Sequence, residues 1–503
     1  MKKIIILMLA VVMMLSSFVA CTPAQGPVGE STPDKPTEST PDKPAESTPE
    51  ETETQIGNLD PSINLGGKTI AIISRDDPWM KDEVSVEGTN GNPINDAIFQ
   101  RNLNVETLLT TELDNIMVSG DDYCVINQLK NTAGPDCPYH LAASSAYTCF
   151  ENTASGLFYN LYDVGNLDLD QPYWATKYNE EASIGNAQYF ATGAISLSLR
   201  RFIFVTFFNK DLAENYGVED LYQVVNEKRW TIEYQTNLVA NMYTELDGVE
   251  GQTEGDSYGF LSDSQVFVDP YIAASDAKIL IKDSDNFFIF QPETEKLDKM
   301  MERIYNLYYK SGGSYIFVGD GQYSQWTKIS NKFASGEATM VTHRLIAAES
   351  EEFRGMDSAY GILPIPKYDE DQQEYYSLAH DLFTVYGVVS SVNSIDLDDV
   401  GAVMEAMAIE SYKVVTPAYY EVALKGKYSK DPQSWEMLDM IVNNLKINGG
   451  LLYTINISDI TQKFRTAIKN KQSNTASILN TLNLKSMQRG LDKMQTAIKS
   501  VQS

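Results

Sequence analysis

The chain has 503 residues, with 39 Lys and Arg against 69 Asp and Glu, and carries a formal net charge of −30. Nucleic-acid affinity comes chiefly from basic side chains that neutralise phosphates, so a charge of this sign argues against a nucleic-acid partner. With 43% hydrophobic residues, 29 Tyr and only 3 His, the chain can fold into two or three lobes and has too little histidine for an obvious zinc enzyme.

Lys2 and Lys3 precede an apolar run from Ile4 to Leu15, followed by Ser16-Ser17-Phe18-Val19-Ala20-Cys21. The run is shorter than the roughly 20 residues of a spanning helix, and its charged start and small-residue end read as a secretory signal peptide over residues 1–20. The ending resembles the lipobox of bacterial lipoproteins, with Phe18 where leucine is usual. That resemblance implies that Cys21 becomes an acylated N-terminus, and two acyl chains suffice for stable anchoring on a bilayer. Ordinary secretion with a free Cys21 is the alternative. Residues 31–38 (STPDKPTE) and 39–46 (STPDKPAE) form a repeat with a decayed third copy from Ser47. Regular proline, net negative charge and no apolar face predict an extended, solvated tether over residues 21–58.

Residues 59–503 are expected to form the body. Thr69–Ser74 (TIAIIS) reads as a buried first strand, Pro93–Arg101 as a helix, Val105–Leu109 as a second strand and Tyr123–Ile126 as a third. This order begins an α/β layer. Cys124, Cys137 and Cys149 match no zinc spacing, and they read as buried thiols with one disulfide possible. Ser198–Phe208 reads as extended, which would turn Arg200 and Arg201 to opposite faces, one to a cleft and one to solvent. Downstream, helical pattern dominates: Ile232–Leu246, capped by Thr231, then Glu293–Tyr309, Gln325–Ala334, Asp398–Tyr412, Pro432–Leu445, Ile457–Lys469 and Asn483–Val501.

Phe207-Phe208-Asn209-Lys210-Asp211-Leu212, with Asp220-Leu221-Tyr222 and Arg229-Trp230-Thr231 after it, resembles a pattern of the family 1 extracellular solute-binding proteins of ABC importers, the maltose-binding-protein-like group. Phe333-Ala334-Ser335-Gly336-Glu337-Ala338, Tyr360–Lys367 (YGILPIPK) and Pro417–Glu421 extend the resemblance in family order over roughly residues 66–500. Two departures stand out: a connection from Thr110 to Asp122 that looks too short for a helix, and Cys124 where aspartate commonly follows tyrosine.

The resemblance implies a type II periplasmic-binding-protein-like fold of two α/β lobes. Lobe one would comprise about 65–190 and 368–412, lobe two about 200–360 and 420–503. Hinge crossings would lie near Thr192–Arg200, Asp357–Lys367 and Lys413–Tyr419. It further implies a monomer that captures a small molecule, a sugar or oligosaccharide, between the lobes and delivers it to ABC permease subunits. The place would be the extracellular face of a cell membrane, in a Gram-positive bacterium. A surface glycan-binding or sensor lipoprotein with the same fold is the alternative.

No nucleophile–base set, phosphate loop or metal motif is present in the sequence, so neither an enzyme nor a cofactor is predicted. Asp247-Gly248-Val249-Glu250-Gly251 puts Val249 and Gly251 where a calcium loop needs oxygen ligands, and reads as a turn. Sugar rings stack their C–H faces on aromatic side chains while their hydroxyls need polar partners. The aromatic candidates are Trp79, Trp174, Tyr189, Trp230, Trp326 and Tyr420, with Trp230 equally suited to packing a helix start. The charged candidates are Arg200, Arg201, Arg344 and Asp381. An ionised Asp381 among apolar neighbours needs a partner, which is either a structural group such as His380 or a ligand hydroxyl. The negative chain favours a neutral or cationic ligand unless the arginines are concentrated in the cleft.

Overall fold

The computed structural model describes residues 57–318, 323–391, 394–425, 432–472 and 484–502, all within one compact unit, residues 55–503. The signal peptide, Cys21 and the repeats lie outside the described residues. No helix among the described residues is long and apolar enough to cross a membrane.

In chain order the strands are β1 (Lys68–Arg75), β2 (Thr111–Val118), β3 (Leu141–Ser145), β4 (Phe204–Asn209), β5 (Tyr258–Asp263), β6 (Leu280–Lys282), β7 (Phe288–Phe290), β8 (Ser314–Phe317), β9 (Ala338–Arg344), β10 (Tyr360–Leu363) and β11 (Thr384–Val388). A first sheet has the order β11-β3-β1-β2 and a second the order β10-β4-β9-β5-β8, while β6 and β7 pair as a hairpin. β1 runs parallel to both β2 and β3, and its last six residues are buried, as expected of an interior strand covered on both faces. In the second sheet β5 is parallel to β8 and β9, whereas β4 and β10 run antiparallel to their neighbours.

The expected first strand is present, but the next two are displaced. Val105–Leu109 closes a helix that runs from Pro93 to Leu109 and buries Ile94, Ile98, Val105 and Leu109, a spacing of three to four residues that belongs to a helix. Asn92 caps its start, and Thr110 ends it in the left-handed region at φ 51°. The strand that follows, β2, has only a partly buried pattern, which is why it lacked an apolar signature. Tyr123–Ile126 is likewise not a strand: Cys124–Thr132 is a helix burying Val125, Ile126 and Leu129. The connection to β3 therefore contains the helix that Thr110–Asp122 alone seemed too short to hold. Cys124, Cys137 and Cys149 are free thiols. The helix from Ile232 ends at Val239 rather than Leu246.

Leu197–Arg201 is a short helix capped by Ser196, not an extended segment, and it leads into β4. It lies on the first passage between the sheets. The return passage comes later than Asp357–Lys367, because β10 is still paired with β4 and Gln372 and Tyr375 still bond Ala274 and Val225 on the second-sheet side. The chain returns through Ser377–Phe383, which runs antiparallel to the first passage: Phe204 N–H donates to Leu378 O and His380 N–H to Phe202 O, both at 2.9 Å. A third passage leaves the helix Ser394–Glu410 through one π-helical turn, Ser411–Val415, into the helix Thr416–Lys425.

Glu83 ties these passages together. Its buried carboxylate accepts from Ser198 N–H on the first and from Thr384 Oγ1 on the second, each at 3.1 Å. Arg101, also buried, donates to Val84 O and reaches Ser411 Oγ on the third, and Glu83 supplies charge of the opposite sign nearby. Leaving a buried donor without its acceptor costs about 1–3 kcal/mol. Glu83→Ala should therefore lower the denaturant midpoint markedly, and Glu83→Gln, which keeps an acceptor oxygen, should lose less. Urea unfolding checks this, and a wild-type midpoint for Glu83→Ala would show that the tie is not structural.

Candidate ligand cleft

Open α/β sheets bind ligands beyond the carboxyl ends of their strands, and here both sheets bring such ends together. β1 ends at Arg75 and is followed by Asp76–Trp79, while β5 ends at Asp263 and β9 at His343-Arg344. A cavity of about 400 Å³ is lined by Trp79 and Asp82 from the first layer, by Trp326, Ser330 and Arg344 from the second, and by Arg201 between them. Trp79 is 43% exposed and Trp326 6%.

Trp326 is fixed from two sides. Its indole N–H donates to Asp263 Oδ2 at 2.9 Å, and its ring stacks on Phe267 at 6.0 Å with an interplanar angle of 8°. Asp263 also accepts from the backbone N–H of Gln265 and Phe267. The Arg344 guanidinium lies 4.0 Å from the Trp326 ring centre and donates to His380 Nδ1 at 3.4 Å. Burial and Arg344 together bring His343 down to about 3, and they hold His380 well below its ordinary value. Both imidazoles are thus neutral donors and acceptors at working pH. Arg201 is committed to Glu349 through two hydrogen bonds of 2.9 Å.

His380 links this cavity to a smaller one that contains Asp381, Asp269 and Tyr178. His380 Nε2 lies 3.6 Å from Asp381 Oδ1, but a neutral imidazole makes this a polar contact, not an ion pair. Burial pushes the Asp381 carboxyl up to about 7, with Arg465 pulling it down and Asp269 and Asp122 adding to the rise. Arg465 holds Asp269 through paired hydrogen bonds. Arg75 donates to Asp122 Oδ1 at 3.2 Å and to Leu382 O at 2.8 Å, so it ties β1 to the return passage. Of the side chains the sequence did not single out, Arg75 and Asp263 each carried one signal: a charge at the last residue of a buried strand.

Four candidate residues, Trp79, Arg201, Trp326 and Arg344, therefore share one cavity, and Asp381 lies in the adjoining one. Trp174, Arg200 and Tyr420 line a different cavity, and Trp174 donates its indole N–H to Glu405 at 3.0 Å. Tyr189 and Trp230 are core residues. Trp230 is wholly buried and donates to Pro364 O at 2.9 Å, so it packs the start of the helix from Ile232.

No family model matches the chain, and no curated protein matches it by sequence. Solved structures do match. A sugar transporter from Rhizobium etli, in an open conformation, superposes with a TM-score of 0.52 at 14% identity, over 84% of this chain and 99% of that one. The fold is the type II periplasmic-binding-protein-like fold. The GacH receptor of Streptomyces glaucescens, known unliganded and with acarbose, matches with a TM-score of 0.50 at 15% identity over 86% of this chain and 99% of its own. UgpB from Mycobacterium tuberculosis, in complex with glycerophosphocholine, matches with a TM-score of 0.50 at 11% identity over 82% and 97%.

The cleft carries its own pH dependence. A carboxyl with its folded value raised to about 7 binds its proton more tightly in the native state than in the unfolded chain. Its stabilising contribution is complete below about pH 4 and is lost as pH rises to 7. Asp381→Asn should flatten that part of the profile, and melting of the unliganded protein at pH 8 should rise above wild type. Identical melting profiles for the two proteins between pH 4 and 8 would contradict the assignment.

Proposed function

We propose that this protein is the solute-capturing component of an ABC importer and that its ligand is a neutral sugar or oligosaccharide held between the two layers. The observation that carries the proposal is the meeting of Trp79 and Trp326, from opposite layers, in one cavity of about 400 Å³, a volume within the range of small-ligand sites. The exposed Trp79 indole suits the C–H face of a sugar ring, Trp326, packed against Phe267 and Arg344, closes the opposite wall, and Asp82 from the first layer and Ser330 from the second offer hydrogen-bonding partners.

The charge state of the wall narrows the ligand. Arg201 is paired with Glu349, Arg465 with Asp269 and Arg75 with Asp122, while Arg344 is engaged by His380 and the Trp326 ring. These arginines balance carboxylates or pack on rings instead of waiting for an anion. The Rhizobium match is a sugar transporter and the Streptomyces match binds acarbose, which supports the saccharide class. In the proposed arrangement Cys21 carries the lipid anchor, residues 22–58 hold the body off the outer face of the membrane, and closure of the layers on the ligand creates the form that a permease recognises.

Calorimetry on neutral oligosaccharides and their uronic-acid analogues tests the proposal. The neutral compounds should bind, and the uronates should bind no more tightly. Trp79→Ala should weaken binding about tenfold, the size of one aromatic contact, with little change in the melting of the unliganded protein because Trp79 is substantially exposed. Tighter binding of uronates, or saccharide binding indifferent to Trp79, would contradict it.

A further inference from the structure

Arg200 and Arg201 are adjacent on the short helix of the first passage, yet they line different cavities. Arg201 enters the cleft and is neutralised by Glu349. Arg200 lines a separate cavity of about 710 Å³, and its Nε is buried with no hydrogen-bond partner among the described residues. A buried guanidinium donor left without an acceptor is unusual in a folded protein, because the lost hydration is not replaced.

The wall of this cavity is distinctive in charge. Lys177 joins Arg200, and no Asp or Glu is among the described residues that line it, in a chain with 69 acidic against 39 basic side chains. The remainder is largely flat and apolar: Trp174, Tyr178, Tyr412 and Tyr420 contribute rings, and Leu199 and Ile203 contribute aliphatic surface. A cationic point within an aromatic and aliphatic enclosure is complementary to an anion with an apolar body. In the cleft, by contrast, Arg201 is held by Glu349, and Arg344 by His380 and the Trp326 ring.

We propose that this cavity is a second binding site, for a small carboxylate-bearing molecule with a flat apolar body, and that Arg200 receives the carboxylate. The wall is built from two of the three passages between the sheets and abuts the start of the other. Leu199, Arg200 and Ile203 belong to the first, Tyr412, Thr416 and Tyr420 to the third, and Leu445 pairs with Ser377 at the start of the second. A molecule bound here touches the first and third passages directly and the second only through Leu445.

Indole-3-acetate and its uncharged analogue indole-3-acetamide are suitable probes, titrated calorimetrically into the mature protein. The acid should bind at least tenfold more tightly than the amide. Arg200→Gln should abolish that preference, Thr416→Trp should fill the cavity and block both compounds, and Trp79→Ala in the cleft should bind the acid as wild type does. Equal binding of acid and amide, no binding of either, or a preference that survives Arg200→Gln would overturn the proposal. So would loss of acid binding in Trp79→Ala, which would move the site to the cleft. If Arg200→Gln fails to fold, unchanged acid binding by Thr416→Trp would overturn it independently.

Discussion

A buried carboxylate must be satisfied where it stands, and Glu83 is satisfied only if the passages between the two sheets lie side by side. Its two oxygens take a backbone N–H from Ser198 and a hydroxyl from Thr384, and its charge is opposed by the buried Arg101, which reaches on to Ser411. The rest of the cleft depends on this tie. It places the end of β1, through Arg75, against a return passage that carries His380, and His380 in turn contacts Arg344 at the end of β9 and Trp326 on the helix Tyr323–Ala334. Residues remote in sequence meet because the three passages share one joint, and a joint of a few hydrogen bonds can hinge in a way that a packed sheet cannot.

Charge separates the two cavities that flank the helix Leu197–Arg201. In the cleft Arg201 is paired with Glu349, Arg344 packs on Trp326 and His380, and burial keeps His343 and His380 neutral. In the other cavity an arginine and a lysine face rings and aliphatic carbon with no described carboxylate opposite. Two adjacent arginines thereby acquire different surroundings: Arg201 is held by Glu349 in the cleft wall, and Arg200 stands among rings and aliphatic carbon.

Much of the architecture was legible because burial leaves a period. The run Thr69–Ser74 announced an interior strand, and the long helices from Thr294 and Leu484 announced themselves by spacing. The errors came where two periods compete. Val105–Leu109 is apolar enough for a strand, but only the spacing from Ile94 and Ile98 shows that it continues a helix. β2 was hidden because an edge strand with half-exposed residues has no apolar signature. The return passage was placed one segment early because YGILPIPK ends as a strand of the second sheet and then stays on that side through Tyr375. At the site, polar and turn-like neighbours suggest exposure for Trp174 and Trp326, yet the structure buries both. Those neighbours could not say that Trp174 is bound to Glu405 in another part of the fold. Arg465 was illegible for a related reason: its partner Asp269 lies 196 residues away, and nothing in the helix Ile460–Lys469 marks the residue as functional.

A neutral saccharide bound as proposed would bridge the two layers and draw them together. Small-angle X-ray scattering on the mature protein, with and without a saccharide shown to raise its melting temperature, measures this directly. The radius of gyration should fall on saturation, because contacts from Trp79 and from Trp326 to one ligand require the layers to approach. A saccharide that binds with no change in the radius of gyration would contradict it.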